Sequence, residues 1–437
     1  MKGNAKKTKQ AQPNKKEQVQ ESDRDFPVLY LLPLLAGAGA LAACGGGGSA
    51  ESTSPIITIS TPAPTPANPP VAGFPTKGNS LILGGALSAN QTFSFNLTPG
   101  DPNLPVWAQN DVGTNYIIDN IKGAGMNSVV LHFNYSHDPA TDTFFRPTFS
   151  TNEIYLNTPD WNTIEAGAMR VTSAGLKPVF YMTVNQLPGK WDTLLVLNYH
   201  PKDPDAFFAS YKEVVMKMAY LSEKYDSPYL AIGVELGPVA TDPKYLPYWQ
   251  DIIKSVREVY HGKLTYVSWV DDVNNFNTEL DDLTFADQLD LLGMTVFPQT
   301  LDEGQLDGTY QQFYDEWKTD IIPGYQKLID DLDKPVFIAE LGISRIDGTG
   351  SKGYWGSDVG MKLDFTEQAE LFDAMFRAMH EGLDLEGIVL WGGYDSTDLV
   401  NGTIDINNSY TMNWIDVPAE PIVAKWMYEF NHTYTFG

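Results

Sequence analysis

From Leu104 onward, short apolar runs alternate with longer amphipathic stretches. The runs within Asn127–Tyr135, Lys177–Asn185, Tyr229–Gly237, Leu264–Val270, Leu289–Phe297, Lys334–Gly342 and Glu386–Tyr394 are rich in β-branched and aromatic residues and are bounded by Gly, Pro or Asn. That texture predicts strands buried on both faces of a parallel sheet. Between them lie helical patterns such as TNYIIDNIKGAG, WNTIEAGAMRVTSAG and DAFFASYKEVVMKMAYLSEKY. The last of these puts Phe207, Tyr211, Val214, Val215 and Met218 on one face. With an eighth strand expected near WDTLLVLN, Trp191–Asn198, the alternation fits a (β/α)8 barrel, whose functional groups gather at the carboxyl ends of the strands. Residues 79–103 offer one or two further short strands ahead of the barrel and suggest no function.

The first 78 residues break this pattern. A lysine-rich leader precedes the apolar run Pro27–Ala43, which closes on LAAC at Cys44. A charged start, a short apolar core and small residues at the end describe an export signal over residues 1–44. LAAC resembles a bacterial lipobox, which implies cleavage before Cys44, lipid attachment to its sulfur and a place in the cell envelope. An uncleaved anchor is the competing reading, because the run is near the shortest that spans a bilayer. Residues 45–78, GGGGS followed by TPAPTPANPP, carry too few large apolar residues to fold and read as a tether. Residues 79–437 then form the folded domain. Cys44 is the only cysteine, so no intramolecular disulfide can form.

Across the 437 residues the formal charge is -26, which excludes a phosphate backbone as a natural partner and suits a neutral or cationic one. There is no HExxH, paired-cysteine, phosphate-loop or GxSxG pattern, and no cofactor or metal is expected. The acidic tracts DDVNNFNTELDD and DSTDLVNGTIDINNS lack EF-hand spacing and read as solvated loops.

Two carboxylates stand out against this background. Glu340 ends the apolar run of KPVFIAELG, and Glu235 occupies the matching place in YLAIGVELG, each followed by Leu-Gly. In a barrel these would be strands seven and four, opening on the same mouth. A pair of carboxyl groups there can divide glycosidic bond cleavage between them, one donating a proton to the leaving oxygen and the other attacking or activating water. Either one alone is as easily a salt-bridged surface residue.

The ordered set DAFFASYKEVVMKMAYLSEKYDSPYLAIGVEL, GKLTYVSWV, LDLLGMTVFP, KPVFIAELGIS, FTEQAELFDAMFRAM, GIVLWGGYD and WIDVPAEPIVAKWM resembles the clan A glycoside hydrolases, most nearly the β-mannanase-like family 113, over roughly residues 110 to 430. The resemblance implies a retaining hydrolase of β-linked polysaccharide, with mannan as the family's suggestion, Glu235 as acid/base and Glu340 as nucleophile. In that mechanism the carboxyl groups stand about 5 to 5.5 Å apart. It also makes Trp391 an apolar floor beneath the sugar. Two departures count against simple transfer. Val234 replaces the asparagine that often precedes the acid/base, and Phe297 replaces the tyrosine that often holds the nucleophile from strand six. They leave open a non-catalytic carbohydrate-binding or surface-assembly lipoprotein on a hydrolase-like barrel.

Further groove candidates are Trp269, Asp271 and Asp272 after the fifth strand, Phe297 after the sixth, Tyr181 and Asn185 on an early strand, and Trp191, Tyr354 and Trp355 in loops. Aromatics at a barrel mouth stack on the apolar faces of sugars, although each is equally at home in a core. His132 and His137 in LHFNYSH lack the spacing of a helical metal pair, so His132 reads as a structural or substrate-contacting residue.

Overall fold

Eight parallel strands of the computed structural model form one curled sheet: β1 Ile82–Leu87, β2 Ser128–Asp138, β4 Lys177–Gln186, β5 Tyr229–Val234, β6 Lys263–Trp269, β7 Leu292–Val296, β8 Val336–Leu341 and β9 Gly387–Leu390. A short strand β3, Thr143–Phe145, pairs antiparallel with the end of β2. The structure describes residues 81–87, 111–145, 160–186, 199–270, 279–297, 299–302, 304–352, 362–391, 399–400, 403–404 and 412–435. The chain divides into units Met1–Ser54 and Pro55–Gly437, and every described residue lies in the second. The leader, Cys44 and the tether therefore lie outside the described residues. Among the described residues no helix is long and apolar enough to cross a membrane.

The hydrogen-bonded path runs from β4 through β2, β1, β9, β8, β7 and β6 to β5, giving an open, curled sheet consistent with a TIM-barrel-like core. One expectation needs correction. The strand anticipated at Trp191–Asn198 lies outside the described residues, and the eighth parallel strand is instead Ile82–Leu87, inserted between β2 and β9. Its sequence ILGGAL carries two glycines in its middle, which weakened its strand signal. Both are needed there: a Cβ on Gly84 would stand 2.6 Å from Ser128 Oγ, and one on Gly85 2.7 Å from Ile121 Cδ1. Residues 82–87 are thus part of the barrel-like core and not an addition ahead of it.

Parallel strands must be covered on both faces, and the side chains divide accordingly. Ile82, Val130, Val179, Tyr181, Tyr229, Phe337 and Val389 belong to an inner cluster, with Trp391 packed against it. A larger outer cluster joins the sheet to the helices. Helix Pro204–Lys224 supplies Phe207, Tyr211, Val214, Val215 and Met218 to it, all buried. Asp203 caps the start of that helix by accepting from the Ala206 N–H, and a proline occupies its first turn. Each such large apolar side chain contributes about 1.5 to 3 kcal/mol by leaving water, so the outer layer fixes the strand ends on which the candidate site is built.

Candidate active site

Strand alternation by itself would misplace Glu340. Along β8, Val336 and Ile338 face the outer layer while Phe337 and Ala339 face inward, so strict alternation would send Glu340 outward with Ile338. The ladder to β7 slips here, pairing Met294 with Ile338 and then Thr295 with Glu340. This bulge passes the inward position to Glu340 and returns Leu341 to the outer layer. Glu340 is only 8% exposed, and the hydroxyl of Tyr181, from β4, donates to its Oε1 at 2.5 Å.

A second slip, between β5 and β6, follows Ala231 and leaves Val234 in the inner cluster. Glu235 then adopts φ 49°, left-handed for a residue with a side chain, and Gly237 follows at φ 53°. That reversal lifts the half-buried Glu235 carboxyl at the sheet's rim.

The two carboxyls share one electrostatic environment. Burial pushes Glu340 well above the usual carboxylate range, the charge of Glu235 pushes it further, and the Tyr181 hydroxyl pulls it back. Glu235 is pushed up to about 7, chiefly by burial, with the Thr295 side chain opposing the shift and the Glu279 charge adding to it. The Thr295 hydroxyl stands close to Glu235 without completing a well-formed hydrogen bond. Two carboxyls so placed titrate as a pair, and near neutrality the pair retains a proton.

Around them, Trp391 follows β9, and its N–H donates to the carbonyl of Leu341 at 2.7 Å, tying it to the residue after Glu340. His132 packs edge-on against Trp391, with ring centroids 4.8 Å apart. Burial holds His132 down at about 3, so it stays neutral. The Thr183 hydroxyl donates to Asn134 Oδ1, so His132 Nε2, 2.8 Å from Thr183 Oγ1, is the protonated nitrogen and Nδ1 remains an acceptor. The rings of Trp269 and Phe297 stack 6.4 Å apart at the ends of neighbouring strands. Phe297 also borders a small cleft with Thr300, Trp317, Leu341 and Ile343 that includes neither carboxylate. Asn185 lies in β4 opposite Ser136. Trp191, Asp271, Asp272, Tyr354 and Trp355 lie outside the described residues.

Glu279 is the residue that sequence reasoning missed. The tract DDVNNFNTELDD reads as a solvated loop, yet Glu279 turns inward and accepts from Gly237 N, Tyr266 Oη and Ser268 Oγ. Burial raises it to about 7. The one hint in the sequence is Leu280, an apolar residue within an acidic stretch, which the structure buries.

Among the described residues, Asp347, Asp364 and Glu367 bring their oxygens within 4.8 Å of one another. Each already has a structural task. Asp364 caps helix Phe365–Gly382, Glu367 accepts from Gly348 N, and Asp347 pairs with Lys362. The group reads as a clamp on the loop after Glu340.

Comparison with known proteins agrees with the fold. The model of Glycoside Hydrolase Family 113 matches residues 110–413. A GH113 beta-1,4-mannanase solved as a complex is 18% identical, with a TM-score of 0.58 over 80% of this chain and 99% of that chain. A GH113 beta-mannanase from Alicyclobacillus acidocaldarius is 20% identical, with a TM-score of 0.58 over 80% and 98%. A Glycoside Hydrolase Family 5 mannosidase from Rhizomucor miehei is 11% identical, with a TM-score of 0.50 over 84% and 96%. At these identities the structural likeness concerns the fold. No curated protein sequence matches the chain.

Proposed function

This chain belongs to Glycoside Hydrolase Family 113, and we propose that it is a retaining hydrolase of β-linked mannan, with Glu340 as nucleophile and Glu235 as acid/base. The observation that carries the reading is the pair of carboxyls at the strand ends, Glu340 turned inward by a ladder slip and Glu235 set by the left-handed turn that follows β5. The reaction needs the proton of the pair on Glu235 and the charge on Glu340: the Tyr181 hydroxyl acts toward the Glu340 anion, against the larger effects of burial and the Glu235 charge, and an ionised Glu279 acts toward a proton on Glu235. Glu340 attacks the anomeric carbon as Glu235 gives its proton to the departing oxygen, forming a glycosyl-enzyme; Glu235 then takes a proton from the water that releases the sugar.

Mannan as substrate is suggested by the beta-mannanases among the similar structures and is compatible with a formal charge of -26, which disfavours anionic polysaccharides. Trp391 and His132 would provide an apolar wall with one hydrogen-bond acceptor for a neutral sugar. The test is incubation of the full chain with β-mannan, β-glucan and chitosan. New reducing ends from mannan, abolished in Glu340→Gln, are expected; binding to mannan without cleavage would overturn the proposal in favour of a non-catalytic binding protein. The proposal includes export and lipid attachment at Cys44 in a bacterial envelope. Cys44→Ser should abolish incorporation of labelled palmitate and leave mannan cleavage unchanged.

A further inference from the structure

Three successive peptide N–H groups at Glu235, Leu236 and Gly237 are each held from the β6 side. Glu235 N donates to the Val267 carbonyl at 2.9 Å, Leu236 N to Tyr266 Oη at 2.7 Å, and Gly237 N to Glu279 Oε1 at 2.7 Å. The Tyr266 hydroxyl in turn donates to Glu279 Oε1 at 2.5 Å, and Ser268 Oγ donates to Oε2 at 2.6 Å. The Tyr266 ring reaches this position because residue 233 is glycine: a Cβ there would stand 2.7 Å from Tyr266 Cε2. A left-handed residue such as Glu235 costs free energy and persists only where its surroundings over-determine it. Here the surroundings converge on one half-buried carboxylate, that of Glu279.

We propose that Glu279 is a positioning residue for Glu235, clamping the left-handed turn that aims the Glu235 carboxyl and setting a second carboxylate beside it. The proposal rests on the hydrolase reading for its catalytic consequence and on the turn geometry alone for its structural one. Tyr266 and Ser268 face Glu279 from β6; Glu235 and the N–H groups of Leu236 and Gly237 face it from the turn. Glu235 in turn is faced by Thr295 from β7, by Glu340 from β8 and by Tyr181 from β4. Within this set Glu279 is a further carboxylate whose charge acts on Glu235. When ionised, Glu279, itself raised to about 7, favours the protonated form of Glu235, the form a general acid requires.

The test compares the full chain with Glu279→Gln and Tyr266→Phe by two readouts. The first is a carbon-13 titration of the side-chain carboxyls, with the Glu235 signal assigned by its loss in Glu235→Gln. In Glu279→Gln the Glu235 midpoint should move to lower pH, and in Tyr266→Phe, which keeps the charge, it should stay nearer that of the parent. The second is the pH profile of kcat on mannan, whose alkaline limb should move down in Glu279→Gln by the same amount. An unchanged Glu235 midpoint in a folded Glu279→Gln overturns the proposal even if mannan is cleaved normally. A shifted midpoint in a chain that cleaves no mannan upholds the clamp and defeats the hydrolase reading instead.

Discussion

The hydroxyl of Tyr181 on β4 donates to Oε1 of Glu340 on β8 across 2.5 Å, with three strands between them in the ladder. Phe297, at the end of β7, offers no hydroxyl for this purpose, so the polar contact to Glu340 comes from the opposite wall of the curled sheet. Removing it in Tyr181→Phe should lower kcat by about 10- to 100-fold, since a hydrogen bond to a charged group contributes about 1.5 to 3 kcal/mol. Steady-state kinetics on an aryl β-mannoside would check this, and KM should change little.

The pH dependence follows from the proton on Glu235. Its carboxyl is raised to about 7, so the acid form is lost as pH climbs through that value. Activity should therefore decline on the alkaline side with a midpoint near neutrality, and on the acid side as the pair takes up its second proton. A kcat profile from pH 4 to 9 tests the claim. A level plateau to pH 9 would contradict it.

Stability should carry the same signature with the sign that linkage dictates. A carboxyl raised in the folded state binds its proton more tightly there than in the unfolded chain. Its contribution therefore falls as pH rises from the ordinary glutamate value through about 7 and is level above that. Glu235→Gln removes the half-buried charge, so its Tm should match the parent at pH 4 and exceed it at pH 8 by on the order of 2 to 4 °C. Calorimetry at the two pH values decides; an equal difference at both would mean that the charge is not the cause.

Trp391 is expected to act through contact and not through charge. Trp391→Ala should raise KM for manno-oligosaccharides roughly tenfold, the loss of about 1.5 kcal/mol of aromatic contact. Its backbone bond to Leu341 remains, so the variant should retain fold and nucleophile. A wild-type KM would remove Trp391 from the sugar site.

Much of this architecture was legible because parallel strands write continuous apolar runs: β2 and β4 to β9 all carry that texture, and Glu235 and Glu340 break it at matching places. Ile82–Leu87 was harder to read, because its paired glycines make room for Ser128 and Ile121 and so erase the side chains that advertise a strand. Glu279 was illegible for a different reason. A solvated acidic loop residue and an inward-turned, hydrogen-bonded carboxylate have the same local sequence, and only the placement of Tyr266, Ser268 and Gly237 distinguishes them. The slips that turn Val234 and Glu340 inward likewise leave no mark on hydropathy, since they alter register without altering composition.

The division of labour between Glu340 and Glu235 is tested most directly by trapping. A 2-deoxy-2-fluoro mannoside with a good leaving group should accumulate a glycosyl-enzyme, and mass spectrometry of the digested protein should find one sugar on the peptide that contains Glu340. Label on another carboxylate, or hydrolysis that inverts the anomeric configuration and leaves no adduct, would contradict the assignment.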